Sequence, residues 1–420
     1  MKLISPAWVS SAAAGKAITT FLTIVGLGAG CDIPCSSDAN CPERKPFCVA
    51  VVGGSGECSA IDDDDPANEG EGEGEGEGEG EGVFVEVPGF PSGLIGDIDV
   101  VIDGVDVIVA GVKQRGAAGD PVDIVVVGPG GVTTTLTDTD DRAAATAVLV
   151  DVDGIHVFGT RQNLKTALVT VFDFSLVRNS EEVVSSDVPA PSQQPVQLNV
   201  MTLPGGGRAL GLGLVTAGGG TAQLFTRGAA WGAPLVDPNL EGSSVGLARS
   251  STSAVACYAG GPTGEAVGHL QLRRNEGLTW AAPIELDTFT LDGPLMIVAC
   301  AVDNEGAAAV VYRSSAVLGL SRLSSTDEIS NSVLVNQAFD AEAGPASAGV
   351  ALDQDGGVHV VYVDNFSLAE STIRYRAPNG DETVVGNPAL RTRAPFIAID
   401  ALRRVVIAFV DDRQVRVFHR

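Results

Sequence analysis

The sequence predicts an all-β fold, a seven-bladed β-propeller of four-stranded blades over residues 83–420, and two observations carry that reading. Seven copies of one unit, an apolar strand, a tight Asp-, Gly- or Ser-rich turn and a second apolar strand, place their turns near residues 104, 154, 206, 252, 306, 356 and 403. A spacing of about fifty residues with two further strands per copy is the repeat of a propeller rather than a solenoid. The chain also holds 52 Gly and 22 Pro and lacks long apolar runs of helical period after residue 30, so it reads as short strands joined by turns.

The clearest copies are Ala147 to Gly159, Ile297 to Arg313, Ala348 to Asp364 and Ile397 to Asp412. Third strands are expected at 123–127, 167–172, 221–225, 268–272, 318–323, 373–375 and 415–418, and fourth strands follow in the first six copies. The seventh copy ends after its third strand. An unpaired edge there would be costly, so the segment Val83 to Val87 is expected to supply the missing outer strand and close the ring.

Ahead of the propeller, residues 1–30 carry Lys2 and Lys16 and then an uncharged, partly aliphatic stretch, the pattern of an export signal. Small residues before Cys31 resemble the bacterial lipoprotein signal. That resemblance implies lipidation of Cys31 and attachment to a membrane through the lipid, although Gly28 stands where the pattern has Leu. Cys31, Cys35, Cys41, Cys48 and Cys58 fall within 28 residues too poor in apolar side chains for a core, so residues 31–58 read as a disulfide module in an exported chain. With Cys31 lipidated, Cys35, Cys41, Cys48, Cys58, Cys257 and Cys300 remain as an even set for disulfides, with the pairing open. Residues 59–82 include four consecutive Asp and seven Glu-Gly pairs, a disordered, extended linker that cannot bury apolar surface.

The formal net charge is -27, from 53 acids and 26 bases, which argues against nucleic-acid partners. Residues 1–82 hold 15 of the acids and 4 of the bases, so the linker is the most acidic part. A monomer at the cell envelope or outer surface is expected.

Arg273-Arg274-Asn275-Glu276-Gly277-Leu278-Thr279-Trp280 resembles the Asp-box of sialidase-like propellers, matching it at Gly277, Thr279 and Trp280, with a fainter copy at Gly228 and Trp231. The resemblance implies a structural turn between third and fourth strands with the Trp packed between blades. It also makes a glycan-active hydrolase the competing reading. Sialidase chemistry needs an activated Tyr, but Tyr258, Tyr312 and Tyr362 share a repeat position with Phe158 and Phe409, which reads as packing. The non-catalytic reading is preferred, a propeller that binds a protein or glycan or serves as a surface scaffold.

His156 and His359 occupy equivalent strand positions, and the turns beginning at Asp151, Asp303 and Asp353 fit hairpin chemistry better than calcium loops. No metal or cofactor is expected. The glycines at 128, 130 and 131 and at 205–207 read as turns rather than phosphate loops. Any ligand site is expected on the loops after the second strands, which offer Arg161, Arg313, Asp364, Asn365, Asp411 and Asp412.

Overall fold

The computed structural model describes three short strands between residues 34 and 59 and, from 84 to 420, the strands and hairpins of the propeller. Outside the described residues lie 1–33 and 60–83, Cys41, and several connecting loops, among them 163–167, 190–196, 237–243, 291–296, 337–347, 365–371 and 386–392. The export-signal, Cys31 and linker expectations fall there. The chain divides into two compact units, one within 2–81 and one from 82 onward.

In the first unit, Pro34–Cys35, Phe47–Val49 and Gly56–Ser59 form an antiparallel sheet with the last strand in the middle. Cys48 and Cys58 are direct register partners in it.

The second unit is all-β, and its described strands form seven antiparallel blades built on four strands each, blade 4 adding the two-residue strand Thr279–Trp280. Blade 1 runs from Leu94 to Thr137, blade 2 from Arg142 to Pro189, blade 3 from Gln197 to Val236 and blade 4 from Ser244 to Thr290. Blade 5 spans Ile297 to Asn336, blade 6 Ala348 to Val384, and blade 7 begins at Arg393. The first strands of successive blades are neighbours around a circle, and that of blade 7 lies beside that of blade 1.

Blade 7 takes three strands from the C-terminal repeat and its outer strand, Val85–Val87, from the N-terminal end of the unit. Val417 pairs with Val87, Phe418 with Glu86 and His419 with Val85. Alternation of the three valines suggests that all are buried, but Val85 is 54% exposed. Burial comes instead from Phe84, whose ring meets Tyr375 of blade 6 at 5.3 Å, and from Val87, which packs toward blade 1. An outer strand has neighbours only where the adjoining blades reach it, so its tip stays in solvent.

Period-two alternation sends each strand's side chains to the two faces of its blade, and each face meets another blade. The core is therefore a ring of interfaces. Phe158 of blade 2 packs with Leu210, Leu212 and Phe225 of blade 3, and Val361, Ile373 and Tyr375 of blade 6 with Ile407 and Phe409 of blade 7.

Candidate functional site

Four of the hairpins between first and second strands, in blades 2, 5, 6 and 7, share one device. Asp303 Oδ1 accepts from the N–H groups of Glu305 and Ala307, Asp353 Oδ1 from Asp355 and Gly357, and Asp400 Oδ1 from Leu402 and Arg404. Asp151 Oδ1 likewise accepts from Asp153 N–H at 2.8 Å. These are Asx-type turns, in which a carboxylate satisfies the backbone of its own reversal. The chemistry that suggested calcium loops is thus spent on closing hairpins.

Blade 2 builds a larger cluster on that device, and blade 3 completes it. Arg208, at the start of the second strand of blade 3, extends a buried guanidinium across the blade interface. Its Nε donates to Asp151 Oδ2 at 2.7 Å, Nη1 to Asp173 Oδ2 at 2.8 Å and Nη2 to His156 Nε2 at 2.8 Å. His156 Nδ1 lies 2.7 Å from Asp173 Oδ1. A carboxylate only accepts and a guanidinium only donates, so a neutral His156 carries its proton on Nδ1. His156, Asp173 and Arg208 are each at least 95% buried.

Asp151, Asp153 and His156 offer ligand atoms close enough together for a metal ion. The Arg208 guanidinium, however, already stands against both Asp151 and His156 Nε2, where a cation would have to sit. As arranged, the cluster is a hydrogen-bonded clamp between blades 2 and 3. Blade 6 has the local version, with His359 Nε2 3.1 Å from Asp353 Oδ2 and Nδ1 2.7 Å from the Tyr375 hydroxyl. Sequence reading marks Asp151 as a turn and His156 as a strand position but misses Arg208. Its only local signal is an Arg where blades 4 to 7 begin the second strand with Ala or Val.

Of the loop residues read as candidate binders, Arg161, Arg313, Asp364 and Asp411 lie in strands of four different blades. Arg161 makes a two-pronged pair with Glu181 at 2.8 and 2.6 Å and lies 4.1 Å over the Phe172 ring. Asp364 binds Arg374, and Asp411 lies 3.2 Å from Arg416 Nη1. Arg313 is half-buried, and burial lowers its pKa. These pairs of Arg161, Asp364 and Asp411 each join two strands of one blade. Asn365 and Asp412 lie outside the described residues.

The box-like segment of blade 4 forms a tight reversal. Val267–Glu276 turns at Gly277, whose φ is +75°, into Thr279–Trp280. Asn275 Nδ2 donates to Thr279 O at 3.1 Å, and Thr279 Oγ1 to Glu276 O at 3.0 Å. Trp280 reaches blade 3, where Nε1 donates to Thr226 Oγ1 at 3.0 Å. Trp231 of blade 3 likewise meets Phe158 of blade 2 edge-on at 5.9 Å.

The tyrosines are packing residues. Tyr258, Tyr312 and Tyr362 are buried at the position filled by Phe158 and Phe409. Burial, with Asp287 beside Tyr312 and Glu382 beside Tyr362, pushes both hydroxyl pKa values up, the opposite of an activated nucleophile.

No family model matches the chain, and no curated protein matches it in sequence. Among solved structures, AofleA from Arthrobotrys oligospora is 14% identical, with a TM-score of 0.43 over 74% of this chain and 92% of its own. The six-bladed Aleuria aurantia lectin is 10% identical, with a TM-score of 0.44 over 72% and 98%. A streptogramin B lyase is 12% identical, with a TM-score of 0.43 over 80% and 97%. Likeness this distant says nothing of what this chain binds.

Proposed function

We propose that the chain is a non-catalytic β-propeller held at the cell envelope, which binds a protein or glycan or acts as a surface scaffold. In this reading residues 1–30 direct export, Cys31 carries the lipid, 31–58 form a disulfide module and 59–82 give the propeller reach. The observation that supports it most is the disulfide between Cys257 of blade 4 and Cys300 of blade 5. A Cβ on the adjacent Gly246 would lie 2.6 Å from Cys257 Sγ and 3.3 Å from Cys300 Sγ, so the backbone leaves room for the bridge. Structural disulfides persist in oxidising compartments and are rare in the cytosol.

The competing reading, a glycan-active hydrolase, has the box-like turn at Gly277 to Trp280 in its favour but lacks an activated tyrosine among the described residues. Glycan arrays and chromogenic glycosides offered to the propeller should give binding without turnover. Turnover that survives Tyr258→Phe, Tyr312→Phe, Tyr362→Phe and Tyr375→Phe together would still end the non-catalytic reading. A fatty-acid analogue should label the wild type in cells and miss Cys31→Ala; equal labelling of both removes the anchor.

A further inference from the structure

The outer strand of a propeller blade is a sheet edge, a row of backbone groups open to another strand unless the sequence discourages it. In blade 2 the outer strand carries Glu181, Glu182 and Asp187 and ends on Pro189, and in blade 4 it carries Glu285 and Asp287. Blades 3, 6 and 7 have outer strands of two or three residues, and blade 1 has one of five. The outer strand of blade 5, Ile329–Asn336, runs eight residues without a charge or a Pro. Its residues 329–333 are all exposed, Val333 by 60%. The strand is also held in place, since Asn331 Nδ2 donates to Leu286 O of blade 4 at 3.0 Å.

We propose that this edge pairs antiparallel with the same edge of a second copy of the chain, joining two blades into one sheet across a two-fold axis. Such a contact is isologous and closes on itself, so it yields a dimer rather than a fibre. With the axis at Asn331, Ile329 stands opposite Val333 of the other copy, and Ser330 opposite Ser332. The exposed apolar side chains then meet each other on one face. The acids ahead of the strand, Asp327 and Glu328, fall opposite Val335 and Leu334 rather than opposite each other. An edge without charge offers nothing to select a charged peptide, whereas its own sequence matches it in both directions. The net charge of -27 opposes approach at long range, so added salt, which screens it, strengthens the dimer. This departs from the monomer expected of the sequence.

Sedimentation of the purified exported chain should show self-association in the micromolar range that tightens as salt rises. Val333→Lys and, separately, Ser330→Lys each put an unpaired charge into the pairing and should weaken it by about tenfold or more at unchanged melting temperature. A Lys variant that melts early is set aside for the other, and Val333→Thr must keep the dimer. Monomers at every concentration and salt, a dimer indifferent to the Lys variants, or its loss in Val333→Thr overturns the proposal.

Discussion

Arg416, in the last strand of the chain, holds Glu86 across 330 positions of sequence through two parallel hydrogen bonds, Nε to Oε1 at 2.9 Å and Nη2 to Oε2 at 2.8 Å. Blade 6 builds a related arrangement from its own strands, where Asp364, Arg374 and Glu382 stand in for Asp411, Arg416 and Glu86. The N-terminal strand therefore reproduces side-chain chemistry as well as backbone pairing.

A propeller beginning at Pro88 should melt at lower temperature and aggregate more readily than one beginning at Val83. It loses Phe84 and Val87, each half-buried and so each worth less than the roughly 1.5–3 kcal/mol of a fully buried side chain. It also bares the edge of Gln414–His419. Equal melting temperatures would mean that the closure adds no stability. Glu86→Gln alone should cost about 1 kcal/mol or less, because Glu86 is 43% exposed at its side chain and solvent screens its pair with Arg416.

Acid should weaken the same contact. The hydrogen bonds from Arg416 hold the Glu86 pKa below its ordinary value of 4.5. Its contribution is therefore complete above the unfolded value and is lost as pH falls through the lower folded one. Denaturant titrations on either side of pH 4.5 should show a smaller acid loss for Glu86→Gln than for the wild type.

Asp99 should act with the opposite sign. Its carboxylate accepts the Val148 N–H of blade 2 at 2.7 Å, and burial raises its pKa from 3.8 to about 7. The folded chain then binds this proton more tightly than the unfolded chain, so stability falls as pH rises between 3.8 and about 7. In Asp99→Asn, which keeps an acceptor for Val148, that fall should shrink in melts across the same window. An unchanged slope would assign it to other groups.

Gly246 and the disulfide should be coupled. Gly246→Ala presses a methyl group onto Cys257 Sγ and should cost about 1–3 kcal/mol. Cys257→Ala with Cys300→Ala should cost about 2–4 kcal/mol by releasing the link. In that background Gly246→Ala should cost clearly less than it does alone, which a double-mutant cycle by denaturant unfolding would reveal.

Arg208→Ala should destabilise by about 3–5 kcal/mol, because Asp151 and Asp173 would keep buried charge without its partner. Replacing Arg208, Asp151 and Asp173 together with Leu, Ala and Asn should recover much of that loss in thermal melts.

The all-β class, the sevenfold repeat and the four strands of a blade are legible in the chain because they rest on local rules. Alternation marks a strand, and Asp-Gly chemistry marks a reversal, as at Asp151 to Gly154 and Asp353 to Gly356. Counting strands also leaves one place in the ring for a segment from elsewhere, and Val85–Val87 occupies it. The side-chain partnerships were decided only when blades met, since residues about fifty positions apart become neighbours with no trace in the intervening sequence. Arg208 finds Asp151 57 positions back, Trp280 finds Thr226 at 54, and Arg274 finds Asp327 at 53. Val85 faces solvent because an outer strand is covered only as far as its neighbouring blades extend, a boundary set by the splay of the blades and invisible to periodicity.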